Sequence, residues 1–279
     1  MVSSATSISK SDRATELAEA GWRYETVNDT DGTTALIQVP LTPEEFLHPK
    51  EGYRLPNSTL HDQIAGDARD MLTRRYADRP EVGVFRDLLI EWEPPELRDH
   101  CPDTFVAFGI QNRDQNRQKF IVVNEGVRPT LVIEVVSPRY RKEDREIKVV
   151  EYARAGVQEY VIIDRRTYRG QLLEEVLGYR LVAGHYQPIT PDDDGRILCE
   201  TVRLWMSLRD GQLLMEDADN GQRLKTSLEL EAENRELEAK NRELEAAKQQ
   251  AEQQAIDLAA QLARYQSQFG NLPEPNPPE

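Results

Sequence analysis

One glutamate stands inside a run of residues that otherwise reads as a buried strand. The segment Thr130–Val136 is TLVIEVV, and a charge at Glu134 is expensive to bury unless it is paired or bound to a metal. Two further charged groups border apolar elements nearby: Asp103, opening CPDTFVAF, and Lys148, within DREIKVVEYARAG. Carboxylates on neighbouring strands can ligate one divalent cation through oxygen. A site of this kind, completed by a backbone carbonyl and water, suits Mg²⁺ or Mn²⁺. The cation would polarise a phosphodiester and orient water, and Lys148 would hold that water or the pentavalent phosphate. Two structural readings compete. Glu134 can face solvent on an edge strand or pair with an arginine, and Lys148 can simply pair with Asp144 at the surface. Asp192, Asp193 and Asp194, followed directly by Gly195, lack the alternating ligand spacing of a calcium loop and read as an acidic turn. Cys101 and Cys199 give neither a metal spacing nor a disulfide framework.

The elements around these residues have to bring them together. TLVIEVV has the composition of a central strand covered on both faces. Ser137-Pro138 ends it, residues 141–155 form a helix closed by Gly156, and EYVIID at 159–164 is a second strand. Strand, helix and strand at this spacing make a βαβ unit. Lys148 then lies about two turns into the returning helix, and its long stem can reach the carboxylates. Upstream, residues 35–39 form a short strand. Thr42-Pro43-Glu44-Glu45 is a helix start with a capping box, closed by Pro49 and Gly52. A longer helix from Leu60 to Tyr76 is capped by Asn57, Ser58 or Thr59 and buries Leu60, Ile64, Ala68, Met71, Leu72 and Tyr76. Val82–Phe85 and Leu88–Trp92 form a hairpin or one interrupted strand, with further strands at 104–108 and 120–123. Shorter strands near 172–176, 179–182 and 186–189 precede a last element at 202–208. The fold class is α/β or α+β, a mixed sheet flanked by helices over residues 31–215. Residues 1–30 show no periodicity and read as a mobile arm.

The tail has a different character. Glu229–Lys248, ELEAENRELEAKNRELEAAK, is a near-exact heptad repeat. Leu230, Leu237, Leu244 and Leu258 fall at d, and Asn234 and Asn241 at a, which favours a parallel, in-register two-stranded coiled coil over residues 224–265. The protein is therefore expected to be a homodimer, and the proline-rich end at 270–279 to be disordered. A single solvated helix is the alternative. Of the net charge of −15, residues 223–279 contribute 7 basic and 11 acidic groups, so the body keeps −11. That charge opposes tight nonspecific binding of nucleic acid. No apolar run reaches the length of a membrane span and no signal peptide is recognised; a cytoplasmic protein is expected.

Taken in order, Pro102-Asp103, then Leu131–Pro138, then Asp144-Arg145-Glu146-Ile147-Lys148, then Tyr152–Tyr160 and a strand ending in Asp164 resemble the Uma2 family, over roughly residues 40–210. That family is itself similar to the restriction-endonuclease-like PD-(D/E)XK nucleases. The resemblance implies a nuclease-like fold and a Mg²⁺- or Mn²⁺-dependent endonuclease acting on DNA. Asp103 and Glu134 match the metal carboxylates. The lysine that usually follows the glutamate by two positions is replaced by Val136, and Lys148 on the next helix is the candidate in its place. The upstream acidic stretch is shortened to Glu51-Gly52-Tyr53-Arg54. His61 matches a histidine at the start of the first long helix, as a phosphate or water contact. The basic run Arg139, Arg141, Lys142 and Arg145 can contact phosphates or be a solvated helix face. The alternative to an enzyme is a non-catalytic scaffold or regulator that dimerises through its coiled coil.

Overall fold

The computed structural model describes residues 10–28, 33–56, 58–93 and 96–270, and the chain divides into two units, Met1–Thr226 and Ser227–Glu279. The first unit begins with α1 (Lys10–Ala20) and an antiparallel hairpin of β1 (Trp22–Asn28) and β2 (Thr34–Pro40). The expected mobile arm is therefore corrected for residues 10–28, whose order comes from distant partners rather than local periodicity. Trp22 and Arg54 exchange backbone hydrogen bonds of 2.8 Å, and the Tyr140 hydroxyl donates to the carbonyls of Ala20 and Leu41. Residues 1–9, 29 and 30 of that arm lie outside the described residues.

A short helix α2 (Pro43–Leu47) carries the expected capping box, Thr42 and Glu45 satisfying each other's backbone N–H groups. The long helix α3 (Thr59–Arg75) starts at Ser58, whose hydroxyl accepts from His61 N; of the other two cap candidates, Thr59 is the first helical residue and Asn57 lies outside the described residues. Its buried face is Ile64, Ala65, Ala68, Met71 and Leu72. Next come β3 (Val82–Phe85), β4 (Ile90–Glu91), β5 (Thr104–Phe108), β6 (Phe120–Ile121), the one-turn α4 (Val122–Glu125) and β7 (Leu131–Val135). Instead of a hairpin, β3 pairs with β5, while β4 pairs in parallel with β6 in a separate two-stranded sheet.

Beyond β7 the chain does not form one regular helix. A 3₁₀ turn at Pro138–Tyr140 and a π-helical stretch at Glu143–Ile147 lead into α5 (Lys148–Ala155). Gly156 closes α5 at a φ of 80°, the left-handed position that glycine adopts without a Cβ penalty. The remaining elements are β8 (Glu159–Tyr168), β9 (Gln171–Val182), β10 (His185–Pro188), β11 (Ile197–Cys199), β12 (Leu204–Arg209) and β13 (Gln212–Asp217). Residues 172–182 are thus one continuous strand, and a further strand follows the element read at 202–208. The first unit extends past residue 215 because β13 runs to Asp217 and Leu224 packs against the core.

The main sheet has the order β10-β9-β8-β7-β5-β3. It is mixed: β7 pairs in parallel with β8, and the other neighbours are antiparallel. As the apolar composition requires, β7 is buried along its whole length. Its alternate residues feed two cores. Leu131, Ile133 and Val135 join α3 and the small sheet β11-β12-β13, while Val132 and Val136 join Tyr152 of α5, Phe105 and Tyr160. Gly178 in β9 lets that small sheet approach closely; a Cβ there would stand 2.7 Å from Ile197 Cδ1.

The second unit is one helix, α6 (Ser227–Phe269), with no buried residue. Leu237, Leu244, Leu258 and Leu262 of the heptad seam are all exposed. No helix among the described residues is long and apolar enough to cross a membrane. If a second copy covers the seam, truncation after Thr226 should leave a folded body that has lost most of its self-association. Light scattering on both forms measures this, and an unchanged oligomer would remove the coiled coil as the main interface.

Candidate active site

Strand register sets the carboxylate pair. In β5 and β7 Thr104 lies opposite Ile133 and Phe105 opposite Val132. One more step places Asp103 opposite Glu134, and directly opposed residues of an antiparallel pair share a face. Val135 N–H donates to Asp103 Oδ2 at 2.7 Å, which fixes the aspartate at the strand end. His61, from the first turn of α3, brings Nε2 to 3.1 Å from the same oxygen. From the other face Tyr152 O–H donates to Glu134 Oε1 at 2.8 Å, and Lys148 Nζ lies 3.1 Å from it. The π-helical stretch turns Asp144 inward. Its Oδ2 accepts from Ser137 N–H and its Oδ1 lies 2.8 Å from Lys148 Nζ. The Phe46 ring of α2 roofs the group, 4.8 Å from the ammonium and stacked on Tyr140 at 4.1 Å.

All four charged groups are buried: Asp103 at 8%, Glu134 at 3%, Asp144 at 1% and Lys148 at 5% exposure. Both structural readings of the sequence are thereby narrowed. Glu134 lies on an interior strand, and Lys148 does pair with Asp144, but in the interior and shared with Glu134. The residues line a cavity of about 450 Å³ with His61, Asp87, Cys101, Tyr53 and Phe46. Burial pushes Glu134 up to about 8; Lys148 opposes that, while Asp103 and Asp144 add to it. Burial also raises Asp144, against Lys148 and the Ser137 N–H. Asp103 goes the other way, since the His61 charge and hydrogen bond overcome its burial. Lys148, although buried, is held protonated by Asp144 and Glu134. Burial raises the Cys101 thiol to about 12, so it is no nucleophile at neutral pH.

These residues fit a hard divalent cation. Three buried carboxylates face one buried ammonium and one histidine. Among the described residues Asp103 Oδ1 and Glu134 Oε2 accept no hydrogen bond. Oxygen donors in a site short of positive charge suit Mg²⁺ or Mn²⁺.

A second cluster, His48, His100 and Glu151, also has ligand spacing, its donor atoms lying within 4.8 Å of one another. Its protons argue against a metal. Trp92 Nε1–H donates to His100 Nδ1 at 2.9 Å. An indole nitrogen can only donate, so His100 carries its proton on Nε2, which donates to Glu151 at 2.8 Å. His48 Nδ1 faces the Asp99 carbonyl at 3.2 Å, and its Nε2 lies 3.5 Å from Glu151. Burial keeps His100 low and neutral, whereas Glu151 and Asp99 outweigh burial and raise His48. Against its own burial, Glu151 is drawn down to about 2 by the two imidazoles. The cluster is a satisfied clasp tying the end of α2 to α5.

The basic run is mostly committed elsewhere. Arg141 and Arg145 pair with the buried Asp164, and Arg145 also with Glu175 at 2.9 Å. Arg145, expected as an accessory phosphate contact, is therefore not brought to the carboxylate pair. Its helix face points to β8 and β9, which supply that acidic anchor.

A family model described as "Uma2: Putative restriction endonuclease" matches residues 54–209. The chain belongs to the Uma2 family. Among solved structures it is similar to a protein from Anabaena variabilis described as a putative nuclease belonging to DUF820. The two share 15% identity, with a TM-score of 0.41, over 58% of this chain and 91% of that one. No curated protein matches it. The Uma2 match begins after α2, so Phe46 and Leu47 line the cavity from outside the matched region.

Of the residues singled out in the sequence, Asp103, Glu134, Lys148 and His61 come together and Arg145 does not. Sequence reasoning missed Asp144 as a buried member, although its spacing of four from Lys148 and again to Tyr152 was a usable signal. It also missed Asp87, which a turn brings to the cavity with φ 49°.

Two stability predictions follow from these charges. Glu134 has a folded pKa above its ordinary 4.5, so folding is favoured by its proton. That stability is full below pH 4.5 and is lost as pH rises through about 8. In chelator at pH 8–9, E134Q should melt above wild type by roughly 3 °C or more and show a flatter pH dependence; an E134Q melting point falling in parallel with wild type would contradict this. His48 is likewise raised above 6.5, so the clasp stabilises fully below that pH and weakens as pH rises past the folded value. Thermal melts of H48Q should lie below wild type at pH 6 and approach it near pH 9.

Proposed function

We propose that this Uma2 protein is a divalent-cation-dependent nuclease that hydrolyses phosphodiester bonds in DNA. The observation carrying the assignment is the pair of uncommitted oxygens, Asp103 Oδ1 and Glu134 Oε2, in one cavity whose buried carboxylates outnumber its cationic groups. Asp103 and Glu134 would hold Mg²⁺ or Mn²⁺, which supplies Lewis acidity and a lowered pKa for bound water.

The chain's own residues account for the rest. The Val135 N–H and His61 hold Asp103 as a carboxylate. The Tyr152 hydroxyl and Lys148 occupy Glu134 Oε1, leaving Oε2 toward the cavity. Lys148 is a fixed, permanently protonated donor beside the carboxylates, placed to stabilise charge developing on a phosphoryl oxygen. His61 Nδ1 is buried without a hydrogen-bond partner among the described residues, so it can donate to or accept from a phosphate or water. The acidic body favours a second reading, a non-catalytic scaffold, for which the buried charges are structural only.

Three measurements separate these. E134Q should abolish calorimetric Mn²⁺ binding while keeping the fold, because the amide preserves hydrogen bonding but not charge. Equal binding by wild type and variant would remove Glu134 from the site. K148M should lower metal-dependent cleavage of a mixed DNA panel roughly 100-fold, taking lost charge stabilisation as about 3 kcal/mol, with smaller change in Mn²⁺ affinity. Because K148M leaves two buried carboxylates without their cation, its melting point must be followed alongside. Undiminished cleavage by K148M rules out its role. Wild type without Mn²⁺ binding or cleavage would favour the scaffold.

A further inference from the structure

Building on the nuclease assignment, we infer that the site takes a single, unpaired DNA strand rather than the interior of a duplex. The first observation is depth. The carboxylates and Lys148 are all buried, and the cavity they line is only about 450 Å³. That volume falls in the range of pockets holding one drug-sized molecule, which is the size of a nucleotide. A duplex is stiff over about 150 base pairs and carries its phosphodiesters on its own surface, so an interior phosphate cannot enter a pocket roofed by Phe46. Enzymes that bring a base into a deep pocket act on single strands or extrude the nucleotide, and a phosphodiester taken to the same depth makes the same demand on its strand.

The second observation is continuity. Past His61 and Ser137 the cavity meets a second compartment of about 530 Å³, and the two share Pro56, His61 and Ser137. The second is lined by Ala18, Val136 and Pro138, suited to the face of a base, with Ser58, Arg139 and the carboxylate of Glu19 on its polar side. Two nucleotide-sized compartments joined at His61 match two neighbouring nucleotides of one strand, with the linking phosphate between them. In the first compartment Tyr53, half-buried, offers an aromatic face on which a base can stack.

Charge supplies the third. Most arginines of the body are held by carboxylates, but Arg54 in the first compartment and Arg139 in the second are exposed and, among the described residues, have no ion-pair partner. They place local positive charge on the path of the strand in a body that otherwise repels nucleic acid.

The test uses full-length protein with Ca²⁺ in place of Mg²⁺, and fluorescein-labelled (dT)10 or a 20-base-pair duplex as probes in an anisotropy titration. The single strand should bind at least about tenfold more tightly than the duplex. R139E should weaken (dT)10 several-fold, with its calorimetric Mn²⁺ uptake serving as the check that the site is intact. Equal or tighter binding of the duplex overturns the inference, as does (dT)10 affinity unchanged in R139E. A wild type that takes up Mn²⁺ but binds neither probe overturns it as well. Failure to take up Mn²⁺ would instead refute the nuclease assignment on which it rests.

Discussion

Three carboxylates and one ammonium share the buried floor of one pocket, and the architecture around them is what makes that tolerable. Isolated charges of this kind cost several kcal/mol each to bury. Here every carboxylate is met by at least two groups: Asp103 by β7 and α3, Glu134 by two residues of α5, Asp144 by the turn after β7 and by α5. Compensation is still incomplete, and the rise of Glu134 to about 8 expresses the remainder. The excess of oxygen donors over cationic groups is the feature on which the proposed cation site rests.

The sheet serves this arrangement by separating two cores. Because alternate residues of β7 point to opposite faces, α3 and the small sheet cover one side and α5 the other. Only at the end of β7 and the start of β5 can helices from both faces reach the same point. His61 arrives from one and Lys148 from the other. The irregular stretch between β7 and α5 belongs to the same logic, since it carries Asp144 within reach of both the Ser137 N–H and Lys148 four residues on.

Residues outside the family-matched region complete the site. Phe46 covers Lys148, Tyr140 ties the N-terminal segment to the first turn beyond β7, and the His48–Glu151 clasp holds α2 against α5. The depth of the pocket therefore draws on residues that precede the matched region as well as on residues 54–209. His100 in that clasp shows how a single donor decides chemistry: the indole proton of Trp92 fixes the tautomer, and with it whether the nitrogen beside Glu151 can bind a metal.

Periodicity and composition alone determined that TLVIEVV has the make-up of a strand covered on both faces, that residues 60–76 are an amphipathic helix capped at Asn57, Ser58 or Thr59, that Thr42 opens a boxed helix, and that Glu134 is out of place in an apolar run. These are local properties, set by side-chain alternation and by backbone N–H groups needing nearby acceptors. The tail's heptads likewise fixed one long helix. What only tertiary structure decided was everything resting on partners far away in the chain. The order of residues 10–28 depends on Tyr140 and Arg54. The pairing of β3 with β5 rather than with the segment after it depends on which strand edge is free. Arg145 looked available until Asp164 and Glu175, from strands beyond it, claimed its guanidinium. Asp144 looked like a surface partner of Lys148 because their spacing is visible in sequence, while the burial of the pair, which gives it its meaning, comes from packing against β7 and the roof of Phe46.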